Sequence, residues 1–314
     1  MNKSAKGLKS GNIISELKRN FPLFVMLIPG LVFVIFFNYI PLAGITLAFK
    51  NIDYTKSFIA MDWVGFKNFE FLIKTPDAFT ITRNTIAYNL VFIFLGLVIA
   101  VGAAIALNEI KNKFLSRFYQ SVMFLPYFLS WVVVSFMVFV FLNPDYGFIN
   151  KSILEPLGKT GVSWYNEPKY WPYLLVFINI WKNAGYNSVI YFAAITGIDR
   201  EMYEAADLDG ANRWQQIIHI TLPSLLPMMI IMTILAIGKI FHSDFGLFYH
   251  TTLNSGTLYQ ATSVLDTYVY RALKTTGDIE MASAAGFYQA ILGFILVFAT
   301  NSIVKRIDPD NSLF

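Results

Sequence analysis

The sequence predicts an all-α integral membrane protein. Of the 314 residues, 56% are hydrophobic and 14% are charged, whereas soluble domains carry about 25% charged residues. Acidic and basic residues are also absent from five long runs, which are 20–49, 84–108, 118–143, 214–238 and 281–304. Because a helix needs about 20 apolar residues to cross a bilayer, each run is long enough to span it.

Six spans are predicted in total, because a further apolar segment holds a single mid-segment charge, Lys182. The predicted spans are 21–42, 84–107, 118–142, 171–197, 222–245 and 282–304. They divide the chain into a basic N-terminal segment (1–20), a six-span domain (21–304) and a short tail (305–314). The first apolar run lacks a clear small-residue cleavage site, so it predicts a retained span rather than a signal peptide.

The distribution of Lys and Arg predicts the orientation of the spans. With the N-terminus in the cytoplasm, the cytoplasmic segments have about twice the density of basic residues of the external loops. Since cytoplasmic loops are enriched in basic residues, both termini are predicted to be cytoplasmic. The external segment 63–72 is predicted to be either a short amphipathic helix on the membrane or a partner, or a packed connector.

Several classes of function are made improbable by the residues that the chain lacks. It has no cysteine and three histidines, which leaves little for thiol chemistry or a metal site. It has no Gly-rich phosphate-binding motif, so we expect no nucleotide cofactor on this chain. No catalytic residues and no metal ligands are predicted. The small net charge of +4 is explained by membrane orientation rather than by nucleic-acid binding.

One predicted cytoplasmic loop, 198–221, is acidic where basic residues are expected. Five acids and one base, Arg200, lie within 199–209. Asp199 suits an N-cap, Gly210 permits a left-handed turn, and Asn212 suits the cap of a second helix that leads to Pro223. We therefore predict a helix, an elbow and a second helix before the fifth span.

The same loop contains a spaced motif. Glu204, Ala205 and Ala206 are followed after three residues by Gly210 and, nine residues later, by Ile220, Leu222 and Pro223. This segment resembles the EAA loop of binding-protein-dependent ABC importers, and all seven positions of that motif match. The resemblance to the sugar-permease branch, the maltose and oligosaccharide permeases, extends to WVGFKNF, LNEIKNK, LPYFLSWVVV, IWKNAGYNSVIYFAAITGIDREMYEAADLDGANRW and DTYVYR. The chain looks closest to the lipoprotein-operon and polysaccharide-oligomer permease subgroup.

The resemblance implies a fold, a function and partners. The fold would be the transmembrane domain of a type I ABC importer, with six spanning helices and a cytoplasmic coupling helix. The chain would be a non-catalytic permease subunit for oligosaccharides in a bacterial cell membrane. Its partners would be a second permease, two cytoplasmic ATPases that bind ATP and Mg²⁺, and an external solute-binding lipoprotein. The implied ATPase contacts are Met202, Tyr203, Glu204, Ala205, Ala206, Asp207, Gly210 and Arg213.

Lys182 is predicted to lie near the middle of the membrane, about 16 Å along the fourth span. A lysine at that depth costs about 2.5–3.5 kcal/mol, so it must face a polar path or be held by helix carbonyls or by the second permease. Both alternatives remain open. Polar and aromatic residues that could contact a sugar lie nearby and at the end of the fifth span: Asn179, Asn183, Tyr186, Asn187, Lys239, His242 and Asp244.

The two lysines suggest an acidic oligosaccharide, such as a uronide, as substrate. Lys239 has an alternative role, because at the outer end of its span it can extend to the membrane surface. A different class, an ion-coupled secondary transporter, would also explain six spans and a lysine at mid-depth. That class leaves the acidic loop unexplained and predicts inverted repeats, which the sequence does not show.

Overall fold

The computed structural model describes residues 20–75, 77–307 and 309, and these residues are mostly helical. The main helices are α1 (Phe21–Phe49), α2 (Asp77–Glu109), α3 (Lys113–Phe124), α4 (Trp131–Leu142), α5 (Trp171–Thr196), α6 (Arg200–Leu208), α7 (Arg213–Ile237), α8 (Phe245–His250), α9 (Leu265–Thr276) and α10 (Ile279–Ile307). Short helical turns lie at Phe58–Ala60, Lys67–Phe69, Phe71–Lys74, Leu125–Phe128, Ile149–Leu154, Trp164–Asn166, Pro168–Tyr170, Gly256–Leu258 and Tyr259–Thr262. In the described residues, extended backbone pairs at one bridge, between Lys50 and Trp63.

The helices make the chain a multi-pass membrane protein, but the count of six spans is not confirmed in the predicted form. Within the described residues, α1, α2, α7 and α10 are each long and apolar enough to cross a membrane. Helix α5 has 26 residues, which is long enough, but its polar side chains make it less apolar than these four. The pair α3 and α4 forms one further span only if a sharp bend is included.

The prediction of a continuous third span over 118–142 is wrong. Helix α3 ends at Phe124, and α4 begins at Trp131 after a bend of 97°. Pro126 in the intervening turn has no backbone N–H to donate to a helix. The Ser130 side chain caps α4 by accepting a hydrogen bond from the Val133 amide at 3.3 Å. The composition of this run is apolar throughout and does not indicate the break, which occurs at Pro126 and Ser130.

The fifth predicted span, 222–245, ends earlier than expected. Helix α7 ends at Ile237, and residues 238–244 form a turn before α8. The Asn89 amide on α2 donates hydrogen bonds to the carbonyls of Ile240 at 2.9 Å and His242 at 3.1 Å. This turn is therefore attached to α2 rather than continuing the helix.

The segment 63–72, which was predicted to be external, is a packed connector and not a continuous amphipathic helix. Its helical parts are the turn Lys67–Phe69 and the start of Phe71–Lys74. The ring of Phe69 lies 5.4 Å from that of Phe49 and 5.9 Å from that of Phe287, measured between centroids. These aromatic contacts attach the segment to α1 and α10.

The core is built around α2 and α5, which make the most extensive helix pairing. One cluster of buried side chains lies at the first turns of α5, between α2, α4 and α8; its members are Tyr88, Val134, Leu142, Trp171, Leu175, Ile178, Leu247, Phe248, Leu258 and Val264. A second cluster, toward the other ends of α2 and α5, is formed by Ala100, Val101, Ala104, Tyr191, Ile195 and Leu225. The small residues permit close helix packing. The most apolar part of α1, by contrast, is not buried against the rest of the chain.

Two predicted regions lie largely outside the described residues. The first is the basic N-terminal segment, whose basic residues all lie outside the described residues: Lys3, Lys6, Lys9, Lys18 and Arg19. The second is the tail 305–314, most of which lies outside them, including Phe314.

Candidate functional site

The acidic loop forms the predicted helix, elbow and second helix. The Asp199 side chain caps α6 by accepting a hydrogen bond from the Glu201 amide at 3.0 Å. Gly210 adopts a left-handed conformation with φ +79°, where a side chain would be strained. Asn212 and Gln215 form a capping box at the start of α7. The second helix then continues without interruption into the fifth span.

Helix α6 has an attached face and an exposed face. On the attached face, the Tyr203 hydroxyl lies 2.9 Å from the Thr221 hydroxyl, and the Gln216 amide donates a hydrogen bond to Asp207. Gln216 is buried and also accepts a hydrogen bond from Arg213 at 2.9 Å. These bonds attach α6 to the first three turns of α7. The exposed face carries Glu201, Met202, Glu204, Ala205 and Leu208.

The structure thus divides the predicted ATPase contacts into two groups. Met202, Glu204 and Ala205 are exposed, as is Gly210 at the elbow, and all are accessible to a partner. Tyr203, Asp207 and Arg213 make hydrogen bonds within the loop and its helix, and Ala206 is half-buried. Two large apolar side chains near these contacts are also accessible, since Leu208 is 91% exposed and Trp214 is 73% exposed. Their exposure is a tertiary property that the sequence does not indicate.

Lys182 is held by helix carbonyls, which was the second of the two alternatives. Its ammonium group donates hydrogen bonds to the carbonyls of Pro126 at 3.2 Å, Tyr127 at 2.9 Å and Leu129 at 2.5 Å. It also lies 5.1 Å from the centroid of the Trp131 ring. These carbonyls lie in the turn between α3 and α4, where the Pro126 carbonyl also accepts a backbone hydrogen bond from the Leu129 amide at 3.2 Å, and the lysine supplies a further donor to each of them. Lys182 is buried and stabilises the helix break.

The polar residues of α5 contact two different parts of the fold. Tyr186 stacks on Tyr127 near Lys182, with ring centroids 4.2 Å apart. The three asparagines instead line a separate cavity of about 230 Å³ between α2, α5 and α7. Its wall also contains Phe92, Tyr191, Met232 and Thr233. This cavity combines amide groups with aromatic rings; the residues that supply its amides are Asn179, Asn183 and Asn187.

Lys239, His242 and Asp244 lie on the turn after α7 and do not line the asparagine cavity. Lys239 is exposed. His242 lies 3.9 Å from Asp266 on α9. Asp244 caps α8 and accepts a hydrogen bond from the Trp131 indole at 2.9 Å. The structure therefore connects Asp244 to the helix break through Trp131, a contact that spacing in the sequence did not indicate.

Comparison with known proteins identifies the family. The sequence profile described as binding-protein-dependent transport system inner membrane component matches residues 92–311, which is more than half of the chain. The chain belongs to this family.

Several relatives of this permease are known from Bacillus subtilis (strain 168). Protein LplB is 34% identical over 300 residues, covering 95% of this chain and 92% of the relative. The polygalacturonan/rhamnogalacturonan transport system permease protein YteP is also 34% identical, covering 90% of this chain and 88% of the relative. These relatives support a permease and give no support to an ion-coupled secondary transporter.

A solved structure shows the same fold. It belongs to a bacterial ABC transporter involved in the import of the acidic polysaccharide alginate. The TM-score is 0.85 at 30% identity, with 94% of this permease and 99% of that chain covered. A second structure is the alginate transporter in complex with its alginate pentasaccharide-bound periplasmic protein, with a TM-score of 0.85, 30% identity, and 95% of this permease and 98% of that chain covered. The permease therefore has the type I ABC importer fold.

One helix of the permease connects the two candidate sites. Helix α7 begins at the bonds to α6 and reaches the asparagine cavity at Met232, Thr233 and Ala236. Thr221 and Thr233 are separated by about 18 Å along the helix axis. The same helix therefore joins α6 to the cavity wall, with one internal proline, Pro227, between the two ends.

Proposed function

We propose that this permease is the transmembrane subunit of an ATP-driven oligosaccharide importer in a bacterial cell membrane, with both termini in the cytoplasm. The observation that supports this most directly is the exposed acidic and small-residue face of α6, attached by side-chain hydrogen bonds to α7. Such a face suits a partner that approaches closely at Ala205 and pairs with Glu204. The orientation follows from the excess of basic residues in the cytoplasmic segments.

The working importer would contain a second permease, two ATPases and an external solute-binding lipoprotein. ATP and Mg²⁺ would bind to the ATPases, and this chain would contribute no catalytic residue. The domain boundaries would be those expected from the sequence, with the coupling loop at 198–221. Complex formation between the alginate transporter and a periplasmic protein supports the external partner.

Coupling would proceed through rigid-body motion. When the ATPases close, α6 would move with the groove that holds it, and the bonds from Tyr203 and Asp207 would transmit that motion to α7. Because α7 forms one wall of the asparagine cavity, this motion would change access to the path. The residues of α6 therefore have two roles, contact with the ATPase and attachment to the permease.

The proposed substrate is a carbohydrate. The names of the relatives include polygalacturonan, rhamnogalacturonan and arabinooligosaccharides, and the structural neighbour imports alginate. Amide groups suit sugar hydroxyls, and the rings of Phe92 and Tyr191 can stack on their C–H faces. An acidic substrate no longer derives support from Lys182, whose ammonium is occupied by carbonyls. An acidic substrate is supported instead by the names of the relative and of the structural neighbour, which include polygalacturonan and the acidic polysaccharide alginate.

Charge reversal at Glu204 tests the coupling role. In the reconstituted importer, Glu204→Lys should weaken ATPase binding by about 30-fold or more, because a paired charge at an interface is replaced by a like charge. Uptake of oligosaccharide should fall with it. The matched control is Glu155→Lys, the same change at a side chain that is 64% exposed and pairs with Lys151 in an external loop. Undiminished ATPase binding and uptake in Glu204→Lys would show that α6 is not the coupling helix.

A further inference from the structure

An apolar groove of about 820 Å³ runs between the first halves of α2 and α5. It shares no lining residue with the asparagine cavity, which lies further along the same helix pair. Its walls are formed mainly by apolar side chains, including Val91, Leu95, Val176 and Phe177. Phe177 is 67% exposed, so the groove opens sideways to whatever surrounds the spans.

The length of the groove matches one leaflet of a membrane. From Arg83 at its rim to Leu95 at its inner end, α2 rises by about 18 Å. Half of a bilayer's hydrocarbon core is about 15 Å. The groove therefore extends from the membrane surface at the start of α2 to near the middle of the bilayer.

Polar groups are confined to the rim of the groove, where two basic side chains lie. The Arg83 guanidinium donates a hydrogen bond to the Asn84 amide oxygen at 3.0 Å. In the described part of the chain, no carboxylate forms an ion pair with Arg83. Lys169, on the opposite side of the rim, pairs with Glu167 at 3.2 Å. The rim thus carries one uncompensated positive charge.

Asn84 is fixed in a position that orients the arginine. It is buried, and its amide nitrogen donates hydrogen bonds to the carbonyls of Gln260 at 3.1 Å and Ser263 at 3.0 Å. Its amide oxygen therefore faces Arg83. With one guanidinium edge held in this way, the remaining N–H groups are free to contact an anion, and a guanidinium matches phosphate geometry well.

We propose that this groove binds an anionic phospholipid, with the phosphate at Arg83 and Lys169 and an acyl chain along Val91, Leu95 and Phe177. An apolar channel with a cationic rim complements a molecule with an apolar chain and an anionic head. A glycan would leave its hydroxyls without partners along the apolar walls. With the orientation given above, the lipid belongs to the outer leaflet. The proposal does not depend on which substrate the permease transports.

Site-specific quenching in the assembled importer tests this proposal. Because the chain contains no cysteine, Leu95→Cys can carry a single fluorophore when the partner subunits are also free of cysteine. The importer is placed in nanodiscs that contain brominated phosphatidylglycerol or brominated phosphatidylcholine at equal density. We expect phosphatidylglycerol to quench at about fivefold lower density, since a basic residue contributes roughly that factor in binding anionic lipid.

Variants assign the preference to the rim. Arg83→Gln should remove most of the preference for phosphatidylglycerol, and Arg83→Lys should retain part of it. Lys169→Gln should have a smaller effect, because Lys169 already has a carboxylate partner, and it provides a second test if Arg83→Gln does not assemble. The control is Arg117→Gln, an exposed arginine at the opposite membrane face, which should leave quenching at residue 95 unchanged.

Three results would overturn the proposal. Equal quenching by the two lipids, unaffected by Arg83→Gln, would mean that the groove holds lipid without regard to charge. If neither lipid quenches the fluorophore in the complete importer, both lipids are excluded from the groove, and the groove would be assigned to contact with the second permease. Protection from quenching by an added oligosaccharide would place it on the substrate path.

Discussion

Replacing Lys182 with methionine removes the cation that joins α5 to the break between α3 and α4. The side chain of methionine fills a similar volume but donates no hydrogen bond to the carbonyls of Pro126, Tyr127 and Leu129. We therefore expect Lys182→Met to destabilise the helix break, and to reduce uptake of charged and neutral oligosaccharides to the same extent. The sequence alone suggested that this lysine favours an acidic substrate, because it could not show where the ammonium points.

The magnitude follows from the three hydrogen bonds. A bond to a charged group contributes about 1.5–3 kcal/mol in soluble proteins, whereas bonds between membrane helices average about 0.6 kcal/mol. Three bonds of these strengths stabilise the packed state by about 2 kcal/mol at the lower limit and about 9 kcal/mol at the upper limit. The ammonium makes these hydrogen bonds only while the helices are packed. Removing the bonds therefore lowers the stability of the packed state. A decrease of about 4 °C or more in Tm is expected.

The measurement combines thermal unfolding of the purified importer with uptake of a charged and a neutral oligosaccharide into proteoliposomes. Lys239→Met is the matched control, because that lysine is exposed and lies outside the asparagine cavity; its Tm should not change. Asn183→Leu alters the neighbouring position on the cavity side and should reduce uptake with little change in Tm. Selective loss of charged substrate in Lys182→Met at an unchanged Tm would refute the structural role.

Two further predictions concern close packing and coupling. Gly185→Ala should prevent stable assembly, because a Cβ atom at Gly185 would lie 1.8 Å from the carbonyl oxygen of Met123 and overpacking is costly. The control is Gly102→Ala, which should be tolerated because nothing lies within 4 Å of a Cβ atom there. Equal Tm values for the two variants would contradict this prediction. Tyr203→Phe removes the hydrogen bond with Thr221, which contributes about 1 kcal/mol. This variant should transport less oligosaccharide per ATP hydrolysed, while its binding to the ATPase persists. Loss of ATPase binding would instead make Tyr203 a residue that contacts the ATPase.

The helix, elbow and second helix of the acidic loop 198–221 could be predicted from the sequence because their signals are local. Asp199, Gly210 and Asn212 each act within a few residues, through caps and a left-handed turn, and the structure confirms all three. The division of α6 into an attached face and an exposed face could not be predicted from such local signals. It depends on Thr221 and Gln216, which approach Tyr203 and Asp207 only because the elbow at Gly210 folds α7 back beside α6.

The spans show the same contrast between local and distant signals. Composition located the apolar segments, since the bilayer requires about 20 such residues wherever a helix crosses it. Composition could not show that the third segment is broken, because its residues remain apolar on both sides of the bend. Pro126 and Ser130 indicate a break locally, but a proline within an apolar segment is also compatible with a kinked continuous span.

By itself, the sequence determined that the chain is a helical membrane protein, that one loop has the spacing of a coupling motif, and that a lysine lies within the fourth span. Each of these depends on composition or on contacts between near neighbours in the chain. The tertiary structure decided what the lysine does, which side of α5 holds the asparagines, and where an apolar groove meets an unpaired arginine. Those features arise where helices distant in sequence pack together, and the direction of a side chain is then set by the neighbouring helix.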